Sequence, residues 1–201
     1  GLVAERATGK SLAQLVAERV TGPMNIHGLQ YDLPAGGRLS PHYTGKSGKV
    51  EKVTEENRLI FGGRLPGYDP AHPLYLGGEG MLATADGYAD FARMLLRGGE
   101  LNGHRFLEAA TVEEMIAPHT VVDNELGHNG YNFWITDGAR AKDGSGPGSL
   151  WIGGGYEGTH FWVDPERGFV GVIMSQIFNA PEQAWGRDEA IRTAIYQQIN
   201  P

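Results

Sequence analysis

The chain carries 201 residues, a formal net charge of −7 and no cysteine. That length allows one domain with a real core, and 40% apolar with 20% charged residues is a globular composition. No Lys/Arg-rich run interrupts the acidic balance, which excludes a nucleic-acid footprint. The missing thiols exclude disulfides, thiolate nucleophiles and thiolate metal ligands within these residues. Apolar stretches such as Phe169–Met174 fall far short of the roughly 20 residues a membrane-spanning helix needs. Glu5 and Arg6 put charge where a secretory leader keeps its apolar segment, and neither feature assigns a compartment.

Leu2 to Ala7 reads as a helix stopped by Gly9. Ser11 and Gln14 form a capping box that opens a second helix, with Leu12, Leu15, Val16, Ala17 and Val20 on one stripe and Gly22-Pro23 at its end. The string Leu-Val-Ala-Glu-Arg recurs at 2–6 and 15–19, too short and too few for a repeat architecture. Residues 23–80 are rich in Pro and Gly and weakly periodic, with one short hairpin expected over Gly45–Thr54. Long ordered excursions of this kind are commonly lids, binding-site walls or partner-binding loops.

Thr84 is the expected N-cap of a helix over 85–97 that buries Tyr88, Phe91, Ala92, Leu95 and Leu96 and stops at Gly98-Gly99. Asn102-Gly103 predicts a two-residue turn. Thr111-Val112-Glu113-Glu114 predicts a second capping box and a short helix ending before Pro118. The last third reads as strands at Tyr131–Thr136, Thr159–Val163 and Phe169–Ser175, the last two joined by the turn Asp164–Gly168 into an antiparallel meander. A closing helix from about Asp188 spaces Ile191, Ile195 and Ile199 four apart, so that they can cover a sheet face. Helices, then strands, then a helix make the fold class α+β, with a helical and loop region at 1–125 and the strands and closing helix at 126–201.

No familiar catalytic signature is complete: there is no Gly-x-Ser-x-Gly elbow, His-Glu-x-x-His pair, phosphate-binding loop or dinucleotide fingerprint. The seven histidines are scattered with no i, i+4 pair and read as surface or hydrogen-bonded loop residues, so no metal or cofactor is expected. Glycine is the compositional outlier at 31 residues, and the run Gly153-Gly154-Gly155 holds the most chemistry. Three glycines at the mouth of a strand leave bare backbone on which a substrate acyl group can lie. The Tyr156 N–H beside them can then meet a developing oxyanion. A glycine bulge at a sheet bend is the packing alternative.

Gly-Gly-Tyr-Glu-Gly-Thr-His-Phe-Trp-Val-Asp-Pro (154–165), followed by Phe169–Gln176, resembles the last active-site strand and its hairpin partner in class C-like β-lactamases, DD-peptidases and family VIII carboxylesterases. Gly77–Asp86 running into Tyr88–Leu95 is similar to the same superfamily's glycine-rich stretch and following helix, Leu101–Leu107 continues in the same way, and Gly1–Ser11 resembles the helix after its second catalytic motif. The resemblance covers nearly the whole chain in family order. It implies a β-lactamase-like fold, present in part, and makes the glycine strand an active-site wall.

The resemblance also implies an acyl-serine hydrolase with a Ser-x-x-Lys nucleophile and a Tyr-x-Asn-type second motif. None of Ser11, Ser40, Ser47, Ser145, Ser149 and Ser175 has a lysine three residues on, and both motifs are expected upstream of Gly1. The third motif, Lys-Thr-Gly in lactamases and headed by His or Trp in peptidases and esterases, falls on Gly153-Gly154-Gly155, with Tyr156 supplying the oxyanion N–H. A register with Trp151 at its head stays open, which makes Trp151 a further substrate-binding candidate. Glycine at the head of the motif argues against a cation for a penicillin carboxylate and favours an ester over a lactam. The expected partners are a small ester or lactam and an N-terminal complement carrying the nucleophile, and the chain alone is expected to be inactive. A catalytically dead module binding a ligand in the same groove is the alternative from another functional class.

Overall fold

A computed structural model describes residues 1–45, 48–56, 59–60, 63–64, 71, 75–78, 80–120, 127–131, 133–136, 149–178 and 187–199. Helix α1 (Leu2–Thr8) ends at Gly9 in the left-handed region, whose N–H donates to the Glu5 carbonyl at 2.8 Å. Ser11 then caps α2 (Leu12–Val16) through the reciprocal bonds of a capping box with Gln14. The helical stripe continues as one π-helical turn, Ala17–Thr21. Thr84 caps α3 (Ala85–Leu96) by accepting the Gly87 N–H. Asn102 and Gly103, both with positive φ, turn Glu100–Leu101 back on His104–Arg105.

Two sequence expectations are corrected. Helix α4 (Ala109–Ile116) begins two residues ahead of the expected capping box, with Glu108 at the N-cap and Thr111 inside the first turn. The Glu108 carbonyl accepts the Thr111 and Val112 N–H groups, so backbone bonding starts the helix without the threonine hydroxyl. In α5 (Arg187–Ile199), Ile191 and Ile199 are exposed and the buried anchor is Tyr196. The buried arc of α3 is also wider than its apolar stripe, adding Gly87, Ala89 and Met94. That helix is covered by the sheet on one side and by Glu100–Leu101 on another.

The main sheet has five antiparallel strands in sequential order: β1 (His128–Asn129), β2 (Trp134–Ile135), β3 (Trp151–Gly154), β4 (His160–Asp164) and β5 (Phe169–Ile173). Its registers pair Ile135 with Trp151, Trp151 with Val163 and Val163 with Val170. Side chains alternate across a strand, so these four lie on one face, where Ala92, Met94 and Leu95 of α3 close the core. The opposite face carries Trp162, Asp164 and Gly171. A Cβ on Gly171 would stand 2.2 Å from the Trp162 indole, so the bare backbone of β5 gives that ring its seat.

Asp164 is fully buried, and its neighbourhood explains how α5 is held. Tyr196 Oη donates to Asp164 Oδ2 at 2.6 Å, the Arg167 N–H donates to Oδ1 at 2.9 Å, and the Arg167 guanidinium reaches Oδ2 at 3.5 Å. That guanidinium also lies 5.2 Å from the centre of the Tyr196 ring. A buried carboxylate is tolerable only when paired and hydrogen-bonded, and here the pairing fastens the closing helix to the β4–β5 turn.

Burial first, then the hydrogen bond and charge of Asp164, push the Tyr196 phenol well above the ordinary tyrosine range. The folded state therefore favours the neutral phenol. Its contribution is complete below the unfolded tyrosine value near 10 and is lost as pH rises beyond it. Tyr196→Phe should cost about 2 kcal/mol at neutral pH in urea unfolding and flatten the alkaline decline in stability. An unchanged urea midpoint would show that the buried bond is not what secures α5.

Candidate active-site strand

The hairpin of β3 and β4 is in register from Trp151–Val163 to Gly154–His160. Beyond the last pair, the Gly155 N–H donates to the Thr159 carbonyl at 2.8 Å and the Gly158 N–H donates to the Gly155 carbonyl at 2.9 Å. Gly155-Tyr156-Glu157-Gly158 is thus a β-turn with the donor at its fourth residue. These bonds orient the peptide planes. In a trans peptide N–H and C=O point opposite ways, so with the Gly155 carbonyl turned inward the Tyr156 N–H points out of the turn. Likewise, with the Gly155 N–H turned toward Thr159, the Gly154 carbonyl points away from β4. Alternation along the ladder sends the Gly154 N–H to that same side. Among the described residues the β2–β3 pairing extends to Trp134–Ile152, and these three Gly154 and Tyr156 groups lie beyond it.

The three glycines do different work. Gly153 faces the core side, and a Cβ there would stand 2.1 Å from the Phe161 ring. Its bare position is filled by Phe161, which is itself braced by Tyr88 at a ring separation of 5.0 Å; burial raises the Tyr88 phenol above its ordinary range. Gly154 and Gly155 are exposed, and a Cβ on Gly155 would meet nothing nearer than 3.9 Å. Tyr156 is half-buried at the second turn position. Trp151 is buried on the core face with Phe161 and Val163, so the open part of the strand begins after it.

Remote segments hold this turn. The Ile177 N–H donates to the Glu157 carbonyl at 3.0 Å, and Thr159 Oγ1 donates to the Ser175 carbonyl at 3.2 Å. Ile177–Phe178 pairs in parallel with Tyr43–Thr44, which pairs antiparallel with Glu51–Lys52. A hairpin does form in the long excursion, but its first strand lies ahead of the expected Gly45–Thr54, and it is joined to the strand end. Much of the later part of the excursion, residues 62–80, lies outside the described residues. Ile177, Phe178 and His42 carried no local signal, because each meets the turn only through chain folding.

Among the described residues, no three His, Cys, Asp or Glu side chains stand together as a metal site. A shallow hollow between α2 and Gln30–Asp32 is bordered by groups already committed to the fold. Tyr31 Oη donates to the Leu76 carbonyl at 2.7 Å, and Tyr75 Oη reaches Asp32 at 3.3 Å. Burial, then the Glu5 charge, raises the Tyr31 phenol above its ordinary range.

The division of labour among the glycines is measurable by urea unfolding. Gly153→Ala should lose roughly 1–3 kcal/mol through displacement of Phe161, whereas Gly155→Ala should stay within about 0.5 kcal/mol of the parent. Equal losses at both positions would contradict the packing role assigned to Gly153.

Comparison with known proteins places this geometry. The family model described as Beta-lactamase matches residues 1–194. Two Mycobacterium tuberculosis relatives, the uncharacterized protein MT1414 of strain CDC 1551 and protein Rv1367c of strain H37Rv, are each 26% identical over 193 residues. Those matches take in 88% of this chain and 46% of each relative. EstCE1, a hydrolase with promiscuous acyltransferase activity, superposes with a TM-score of 0.70 at 20% identity over 96% of this chain and 53% of that one. The LovD6 mutant of simvastatin synthase from Aspergillus terreus gives 0.74 at 18% identity over 98% and 52%. A family VIII carboxylesterase gives 0.61 at 22% identity over 98% and 54%. Structures this distant in sequence speak for the fold, and the chain spans about half the length of the relatives it matches. With the family match running over residues 1–194 of an α+β structure, the chain belongs to the beta-lactamase family and its fold is β-lactamase-like.

Proposed function

We propose that residues 1–201 form the oxyanion side of a serine hydrolase that cleaves carboxylic esters, or related lactam and peptide-like acyl groups, through an acyl-serine intermediate. The nucleophile and its base are supplied by a segment outside this chain. The observation that carries this reading is the set of outward backbone groups at an exposed, side-chain-free strand end: Gly154 N–H and C=O, then Tyr156 N–H. An acyl donor laid along Gly154 exchanges strand-like hydrogen bonds with it. Its carbonyl oxygen then meets the Tyr156 N–H, a donor already oriented by the turn and requiring no reorganisation as charge develops.

In this mechanism the serine oxygen attacks the acyl carbon, its proton passes to the base, and the carbonyl electron pair moves to the oxygen facing Tyr156. Collapse restores the carbonyl and expels the alkoxide, which takes a proton from the same base. Water repeats the sequence to release the acid. At the head of the glycine run stands Gly153, covered by Phe161, and two residues earlier the buried Trp151. Neither supplies a cation for a lactam carboxylate, which favours ester substrates. A family VIII carboxylesterase among the structural neighbours supports that preference.

The need for a complement is supported by β5, Phe169–Ile173, four apolar side chains and a glycine, which is the last strand of the sheet among the described residues. An apolar edge strand invites a further strand, and Ile191 and Ile199 of α5 with Leu2 and Val3 of α1 add exposed apolar surface. The second reading, a ligand-binding module without turnover, is favoured by the absence of any Ser-x-x-Lys among these residues. Sequence of the complementary segment separates the two: Ser-x-x-Lys with a downstream tyrosine motif supports catalysis, and their absence supports binding.

The chain alone should resist covalent labelling by a fluorescent penicillin or phosphonate, and acylation of isolated residues 1–201 would refute the division of the site. In the assembled enzyme, Tyr156→Pro removes the N–H at a turn position where proline is favoured. It should lower kcat by roughly 10²–10³ for an activated ester. A loss under about tenfold would remove Tyr156 from the oxyanion role.

A further inference from the structure

We propose that His42 and Glu157 are a positioning pair that joins the long excursion to the turn presenting the Tyr156 N–H; this rests on the hydrolase reading above. Three backbone restraints on the turn lie among the described residues. Two are internal, at Gly155 and Gly158, and the third is the Ile177 N–H donated to the Glu157 carbonyl. Ile177 stands opposite Tyr43 in the parallel pairing, and the Tyr43 N–H donates to the Gln176 carbonyl at 2.7 Å. His42 therefore arrives beside the turn by register, one residue ahead of Tyr43, while its own carbonyl accepts the Val53 N–H at 2.9 Å. Its imidazole Nε2 lies 3.8 Å from Glu157 Oε1.

The surroundings separate this contact from ordinary surface ion pairs. The side chains of His42 and Glu157 are 33% and 27% exposed, against 47% and 49% for Lys10 and Glu18 and 43% and 43% for Arg105 and Glu100. A shielded pair is less screened by solvent. It also spans segments more than a hundred residues apart in sequence, so its effect is to fix one segment against the other. Glu157 is the residue after Tyr156. Holding both its carboxylate and its carbonyl limits rotation of the two peptide planes that flank Glu157, and the Gly155–Tyr156 plane that carries the Tyr156 N–H adjoins the first of them. His42 and Glu157 act through Tyr156 and do not touch the acyl group.

Hydrogen exchange followed by NMR on this chain tests the pair without any turnover. His42→Ala and Glu157→Gln should each speed exchange of the Ile177 amide about fivefold while leaving Trp162 unchanged, and the double variant should match the singles. Unchanged Ile177 exchange, or effects that add in the double variant, would overturn the pairing. In the enzyme assembled with its nucleophile-bearing part, each single variant should reduce kcat for a p-nitrophenyl ester about fivefold with KM within about twofold. His42→Lys, which places an ammonium group opposite Glu157, should recover most of the loss. A loss in KM alone, or no recovery by lysine, rejects the positioning role. A wild-type assembly that hydrolyses no ester refutes the hydrolase reading, and the exchange measurement still decides whether the pair exists.

Discussion

The hydrogen bond from the Gly155 N–H to the Thr159 carbonyl closes the β3–β4 hairpin, and the direction of each nearby peptide plane follows from it. A backbone donor cannot be aimed by choosing a rotamer; it is aimed only by the bonds made by adjacent planes. With Gly155 and Gly158 engaged inside the hairpin, the Gly154 and Tyr156 groups face outward at the exposed glycine end of the strand. The chemistry proposed for this chain uses main-chain groups. It therefore depends on ladder geometry more directly than a site built from side chains would.

The two ends of that hairpin are secured by different forces. Away from the site, Phe161 and Val163 enter the apolar core under α3, and Asp164 turns to the opposite face to meet Tyr196 and Arg167. Close to the site, where exposed glycines bury little apolar area, restraint comes from hydrogen bonds to residues 175–178 and, through them, to Tyr43–Thr44. Phe178 is fully buried and Thr44 nearly so, so this second anchorage is itself packed. A rigid interior end and a bonded outer end together hold an exposed backbone stretch without covering it.

Phe161 and Trp162 show how the sheet uses its glycines. Each large ring lies across the backbone of a neighbouring strand, at Gly153 and Gly171 respectively, where a Cβ would occupy the same space. The glycine run in β3 thus serves packing at its first residue and accessibility at the next two. The proposed substrate lining and the core packing are adjacent on one strand, separated by the pleat and by the start of the turn.

Local signals in the sequence were sufficient for the N-terminal capping box at Ser11, the cap at Thr84, the turn at Asn102-Gly103 and the meander from His160 to Ile173, because each is decided by residues within a few positions of one another. Motif order was sufficient for the family. The start of α4 and the anchoring of α5 were not legible. In α4 a backbone carbonyl at Glu108 replaced the expected side-chain cap, and in α5 one tyrosine reaching a buried carboxylate outweighed a regular isoleucine stripe. Composition likewise marks Gly153, Gly154 and Gly155 as equivalent, although only the tertiary structure shows Phe161 over the first and no contact closer than 3.9 Å at the third. By itself the sequence determined the elements and the family; the fold decided which backbone groups face outward and which distant segments hold them, because those depend on contacts between residues far apart along the chain.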